Sequence, residues 1–317
     1  MNALDLYSAF QAVDDDFLQR SQIKTRNSAA LKRIIATAAC FLLILGMAVT
    51  VEASTGAVSN LLAPLFGMAQ TELVDDIGVP VGVSATADGY TITAEAVIGD
   101  KYNVAVVYTI SRDDGQPLPD NLSIDRWSNI GRTGGGSGEW IRNESNPSKI
   151  SYVEKWEMAN PIAGRYWSVT FSNLAISGEG DQRTVIAQGP WELSFTLRYK
   201  NTSQRISANK LRVSDEFGNE YQVNQIWISP IGIYVKGYQF DPENKHGASY
   251  LMAHFDVSLV MKDGTVIPLE DHSAGGHLTI GDSKAKVHFQ ALFDSPLDLE
   301  TIDSLLICGT ELKIDLS

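Results

Sequence analysis

Residues 34–51, IIATAACFLLILGMAVTV, form a run of eighteen uncharged residues bounded by Lys32 and Arg33 on one side and Glu52 on the other. Coiled into a helix at 1.5 Å per residue, such a run measures about 27 Å, close to the roughly 30 Å of a bilayer's hydrocarbon core. Nine of its residues are Ile, Leu, Phe or Val. At about 0.3–0.6 kcal/mol each they favour insertion by roughly 3–5 kcal/mol, with no charge opposing them. A helix buried in a soluble core ordinarily keeps a polar stripe, and this run has none. The expectation is a transmembrane helix over 34–53. A cleaved signal peptide is the rival reading, because Val51-Glu52-Ala53 before Ser54 resembles a small-residue cleavage site. The length of the run and of the 33 residues ahead of it favours retention as an anchor.

The flanks give the run a direction. The first 33 residues carry five basic side chains (Arg20, Lys24, Arg26, Lys32 and Arg33) against four acids (Asp5, Asp14, Asp15 and Asp16), a net charge of +1. The rest of the chain has 20 Lys and Arg against 34 Asp and Glu, a net charge of −14. Basic residues gather on the cytoplasmic side of a span, so residues 1–33 are expected in the cytoplasm and residues 54–317 outside the cell membrane. An exterior this acidic argues against nucleic acid and anionic lipid as its direct partners.

Within residues 1–33, Leu6, Phe10, Val13 and Phe17 recur at spacings of 4, 3 and 4, one seam along a helix from about Ala3 to Arg20. Asn2 can cap its start, with Asp5 in the first turn. So short a segment has no core in which to bury an apolar seam. Asp14, Asp15 and Asp16 disfavour an anionic membrane surface, which leaves a protein partner at Leu6, Phe10, Val13 and Phe17.

Beyond the run the pattern changes. Residues 54–72 form a juxtamembrane segment in which Leu61, Leu62, Leu65 and Phe66 make a short amphipathic turn or helix at the outer leaflet, limited by Pro64. From about Val79 the hydrophobic period is two. VGVSATA, Asp88-Gly89 and YTITAEAVI read as a hairpin, since Asp-Gly is the strongest short hairpin signal. YNVAVVYTI, ISYVEKWE, RYWSVTFSNLAI and PWELSFTLRYK follow as strands, and GRTGGGSGEW at 131–140 reads as a flexible loop. After the polar KNTSQ at 200–204 a second series begins, including EYQVNQIWIS, GIYVKGYQF, SYLMAHFDVSLVM, AKVHFQALF and ELKIDLS. The stretch from Asp298 to Leu306 reads equally as a short helix or a strand. The expected fold is mainly β: a first antiparallel sandwich-like domain over 73–200 and a second over 205–317.

Catalytic signatures are not evident. All five histidines (His246, His254, His272, His277 and His288) lie beyond residue 245, without HExxH, paired CxxC or a third ligand at a zinc-binding spacing. No Gly-x-Ser-x-Gly elbow and no phosphate-binding Gly-rich loop followed by Lys occurs. No cofactor, no metal and no enzymatic activity are expected. Cys40 and Cys308 are the only cysteines; one falls in the apolar run, so they cannot pair within a chain. All six tryptophans fall between 127 and 227. Trp156 and Trp191 sit in alternating strands and read as core. Trp127 and Trp140 flank the Gly-rich stretch and are the candidate ligand-binding rings, suited to stacking on a cell-wall glycan.

LDLYSAFQAVDDDFL, the basic LKR before the apolar run, LLAPLFG after it and the hairpin DGYTITAEAVIGDKYNVAVVYTI together resemble the anti-sigma-factor-like single-pass membrane proteins of Gram-positive bacteria. In that group a β-rich extracellular domain of unknown function follows one span. QIWISPIGIYVKG is similar to a further all-β domain attached to such proteins. No His or Cys precedes Cys40, so the zinc-binding N-terminal domain of many anti-sigma factors has no counterpart here. What the resemblance implies is a signalling protein whose N-terminal helix holds a cytoplasmic sigma factor while its β domains sense the envelope. The alternative is an envelope glycan- or protein-binding module with no cytoplasmic partner.

Overall fold

The structure is a computed structural model, and it describes residues 57–66, 71–129, 134–142, 146–158, 160–178, 182–240, 254–269, 273–277 and 284–314. The expected cytoplasmic segment 1–33 and the expected span 34–53 lie outside the described residues. Two short helices, α1 (Ala57–Phe66) and α2 (Thr71–Ile77), precede a long series of strands. The first eight are β1 (Val79–Ala87), β2 (Tyr90–Gly99), β3 (Asn103–Arg112), β4 (Leu122–Ser128), β5 (Gly134–Arg142), β6 (Lys149–Met158), β7 (Tyr166–Ser177) and β8 (Arg183–Thr196). The next nine are β9 (Gln204–Ser214), β10 (Glu220–Ser229), β11 (Gly232–Phe240), β12 (Val257–Met261), β13 (Val266–Pro268), β14 (Ser273–His277), β15 (Lys284–Leu292), β16 (Ile302–Ile307) and β17 (Thr310–Lys313). The chain is mainly β, and its strands form antiparallel sheets, as the period-two patterning leads one to expect.

The sheets pack in pairs. A five-stranded sheet, in the order β1-β2-β3-β6-β5, faces a three-stranded one, β4-β7-β8. Between them lies a core built on Ile92, Val106, Tyr108, Tyr152, Trp156, Trp167, Phe171 and Trp191. A second five-stranded sheet, β14-β15-β11-β10-β9, shares a core with a four-stranded one, β13-β12-β16-β17. Ile226, Val235, Phe255, Leu259, Phe289 and Leu305 belong to that core. In β3 alternate residues go opposite ways. Val104, Val106 and Tyr108 enter the first core, whereas Ala105 and Val107 enter a third cluster on the sheet's outer face. A strand buried on both faces reads as a near-continuous apolar run, which is how NVAVVYTI reads.

Turn chemistry explains the hairpins. Asp88 (φ 49°) and Gly89 (φ 76°) link β1 to β2, and Gly264 (φ 87°) turns the chain between β12 and β13. Residues of this kind tolerate the left-handed region at low cost. The stretch from Asp298 to Leu306 contains both readings in succession, a 3-10 turn at Leu299–Thr301 and then β16.

The sequence expectation for the Gly-rich stretch is corrected. Gly134–Arg142 forms an edge strand, paired with β6 from Gly134↔Met158 to Arg142↔Ile150, where a flexible loop was expected. A Cβ on Gly136 would stand 2.7 Å from the Trp156 ring, and one on Gly138 would overlap the Tyr152 hydroxyl. The glycines are there because large aromatic side chains on β6 lean over this strand. Glycine in a strand interior often marks such a close approach.

Candidate functional site

The element that follows the apolar run in sequence is α1. Its Val58, Leu62 and Phe66 recur every four residues and are buried, with Leu62 fully so. They enter the third cluster, against Ala96, Ile98, Ala105, Val107 and Val153 on the outer face of the first large sheet. The apolar side expected to lie on the outer leaflet is instead covered by protein. Val74 and Ile77 of α2 join the same cluster. Asp75 of α2 caps α1, its Oδ1 accepting from the backbone N–H groups of Val58 (3.1 Å) and Ser59 (2.7 Å). A carboxylate at a helix N-terminus satisfies otherwise orphaned donors and complements the helix dipole. Pro64 falls in the last turn of α1; the carbonyl it leaves without a helical donor belongs to Asn60, which is exposed.

The far half of the chain contributes to this seat as well. Ile231, in the turn between β10 and β11, is fully buried in the third cluster, and partly buried Leu292 at the end of β15 packs there too. The turn is pinned from its own side: the N–H groups of Phe293 and Leu297 donate to the carbonyls of Ile231 (2.9 Å) and Pro230 (2.8 Å). Both halves of the β structure therefore contribute side chains to the cluster in which α1 sits.

A buried polar junction sits beside that seat, at the turn between β2 and β3. Asp100 is 3% exposed and accepts four hydrogen bonds. Its Oδ1 accepts from the N–H groups of Tyr102 and Asn103, both at 2.7 Å. Its Oδ2 accepts from Asn103 Nδ2 (2.9 Å) and from Ser229 Oγ (2.6 Å). Gln290 of β15 donates from Nε2 to the Tyr102 carbonyl (2.8 Å) and to Asn103 Oδ1 (2.9 Å). Tyr102 stacks on Tyr234 with centroids 4.0 Å apart, and burial pushes the Tyr234 hydroxyl up to about 12. The Lys101 ammonium lies 3.2 Å from the centroid of the Trp227 ring, a cation–π contact. Buried polar groups need partners, and here the partners come from opposite halves of the chain.

A second polar cluster lies inside the first core. Glu154 is fully buried, and Arg126 Nε approaches its Oε1 at 2.7 Å. The single Nε–H is aimed at Tyr152 Oη (3.1 Å), so Oε1 receives the guanidinium's charge without an aligned hydrogen bond. Oε2 accepts from Trp156 Nε1 (3.2 Å) and from Tyr108 Oη (3.4 Å). Burial raises the Glu154 carboxyl above the ordinary carboxylate range, with the Arg126 charge pulling the other way. The alternation of Tyr152, Glu154 and Trp156 in β6 was the sequence signal that all three share the inner face.

The ligand candidates lie on different sheets. Trp127 is 60% exposed, on the small sheet. Trp140, on the first large sheet, is half-buried with its ring 4.7 Å from that of Tyr152. Trp156, Trp167 and Trp191 are buried in the first core. Leu6, Phe10, Val13 and Phe17 lie outside the described residues, as do His246 and His272. His254 stands 3.7 Å from Glu216, and His288 stacks near Tyr234 at 6.2 Å. Among the described residues there is no group of three or more His, Cys, Asp or Glu placed to hold a metal ion, and no helix is long and apolar enough to cross a membrane.

No family model matches the chain, and no curated protein matches it. Among solved structures it is similar to the crystal structure of the conserved domain protein from Bacillus anthracis, with 14% identity over 81% of each chain and a TM-score of 0.50. At that identity the likeness is one of fold.

Proposed function

We propose that this is a single-pass membrane protein of the anti-sigma-factor-like kind. Residues 34–53 span the cell membrane, the β sheets lie outside and respond to the state of the envelope, and the seam Leu6, Phe10, Val13 and Phe17 holds a cytoplasmic sigma factor. The observation that carries this reading is the seat of α1. The helix that follows the apolar run shares one apolar cluster with Ala105, Val107 and Val153 from one half of the β structure and Ile231 from the other. A ligand that alters the fit of the two halves alters the grip on α1, and so on the chain entering the membrane. Such a shift needs only a differential affinity for two arrangements of the junction.

On the inner side, burying three or four seam side chains supplies about 1.5–3 kcal/mol each before ordering costs. The test is co-purification of a sigma factor with the intact chain, compared with the double variant Phe10→Ala/Phe17→Ala. Loss of the sigma factor in the variant is the expected result; equal capture by both proteins refutes the seam.

A further inference from the structure

The outer face of the small sheet β4-β7-β8 has the makings of a binding platform. Trp167, Val169 and Phe171 of β7 are fully buried, as are Trp191 and Leu193 of β8. Side chains alternate across a strand, so Tyr166, Ser168 and Thr170 face outward together with Glu192 and Ser194. Trp127 pairs directly with Thr170 and shares that face. Trp127 is 60% and Tyr166 58% exposed. Thr170 and Tyr166 are separated by four residues of strand, about 13 Å.

The surface between the rings is ordered and polar. Asn129 bridges strand to strand: its Nδ2 donates to the Tyr166 carbonyl and its Oδ1 accepts from the Ser168 N–H, each at 3.0 Å. Ser194 Oγ donates to Ser168 Oγ at 3.2 Å. The one acid beside Trp127 on its own strand, Asp125, is occupied by Arg183 (2.8 Å) and by Asn173 Nδ2 (2.8 Å). Tyr and Trp are enriched at recognition surfaces, because each pairs an apolar ring with a polar group.

We infer that this face binds an uncharged polysaccharide. The rings offer flat surfaces to the apolar faces of pyranose units, and Ser168, Thr170, Ser194 and Glu192 offer hydrogen-bonding partners to sugar hydroxyls between them. The spacing exceeds one sugar ring, so both aromatics are engaged only by an oligosaccharide. Charge selects against the anionic alternatives: residues 34–317 carry a net −14, and Glu192 adds a carboxylate at the platform itself, so a polyanionic envelope polymer is repelled. The inference rests on the exterior placement of the β sheets proposed above and is independent of the cytoplasmic partner.

The experiment is retention of the detergent-solubilised full chain on chitin and on cellulose, each compared with a wall fraction rich in anionic polymer. Retention on at least one neutral polysaccharide is expected, persisting in high salt, and falling about tenfold or more in Trp127→Ala/Tyr166→Ala. Thr170→Arg, which places a bulky cation beside Trp127, is expected to reduce it as well, and Trp140→Ala to leave it unchanged. An unchanged melting temperature establishes that the variants fold. No retention on either neutral polymer overturns the inference, as does retention that both platform variants preserve. Binding confined to the anionic wall fraction overturns it too, as does self-association that the double variant abolishes. Membrane fractionation of the same cells reports separately on the exterior placement.

Discussion

Ser229 Oγ donates a 2.6 Å hydrogen bond to Asp100 Oδ2, joining the end of β10 to the turn between β2 and β3 across 129 residues of chain. Ser229 Oγ also accepts from the Ile231 N–H at 3.2 Å, so the same hydroxyl that reaches Asp100 fixes the turn carrying Ile231 into the seat of α1. One side chain thus connects the polar junction, the second half of the β structure and the helix next to the apolar run.

Ser229→Ala is expected to cost about 1.5–3 kcal/mol, the range for a hydrogen bond to a charged group. It is also expected to loosen the coupling between the two halves. Five of the six tryptophans precede residue 200, so tryptophan fluorescence weights the first half and far-ultraviolet circular dichroism reports both. In urea the two probes coincide for the unaltered protein and diverge for the variant. Coincident curves in both would show that the hydroxyl does not couple the halves.

Leu62→Ala removes a fully buried side chain from the seat and is expected to cost about 2–5 kcal/mol through lost burial and the cavity left behind. The midpoint of denaturation moves while the slope stays the same. A change within about 0.5 kcal/mol, as at an exposed site, would mean that α1 is not docked on the sheet.

Glu154 gives a pH dependence of definite sign. Burial raises its carboxyl above the ordinary value in the folded protein, against the opposing pull of Arg126 and the hydrogen bonds from Trp156 and Tyr108. The folded state then binds this proton more tightly than the unfolded state does. The stabilising contribution is complete below the ordinary carboxyl value and is lost as pH climbs through the raised one. Melting temperatures measured from ~pH 4 to ~pH 8 should fall with rising pH more steeply for the unaltered protein than for Glu154→Gln. Identical profiles would contradict the assignment.

What the sequence disclosed, and what it hid, divides along the range of the interactions. Asp88-Gly89 announced its turn because the left-handed backbone it needs is a local property. The two-residue alternation of its strand placed Trp156 in the core for the same reason. Gly136 and Gly138 misled: glycines that signal freedom in isolation are required here by Trp156 and Tyr152 on the adjacent strand. Asp100 lay between two expected strands and Asn103 at the start of one, and only the arrival of Ser229 and Gln290 from distant strands makes them a buried junction. Leu62 and Phe66 read as a lipid-facing patch because the sheet surface that covers them is assembled from β2, β3 and β6. Tyr166 carried no signal beyond being one aromatic among many, since its exposure follows from the burial of Trp167 beside it. For Leu6, Phe10, Val13 and Phe17 the helical spacing is the whole of the argument.

The most direct test of the account is the topology of the intact protein in its membrane. With a tag at each end of the full chain, protease is added to whole cells and the membranes are then washed at alkaline pH. The account predicts that the chain stays with the membrane, that the N-terminal tag is protected and that the C-terminal tag is lost. Full-length protein in the soluble fraction, digestion of the N-terminal tag in unbroken cells, or a mature chain beginning at Ser54 would contradict it.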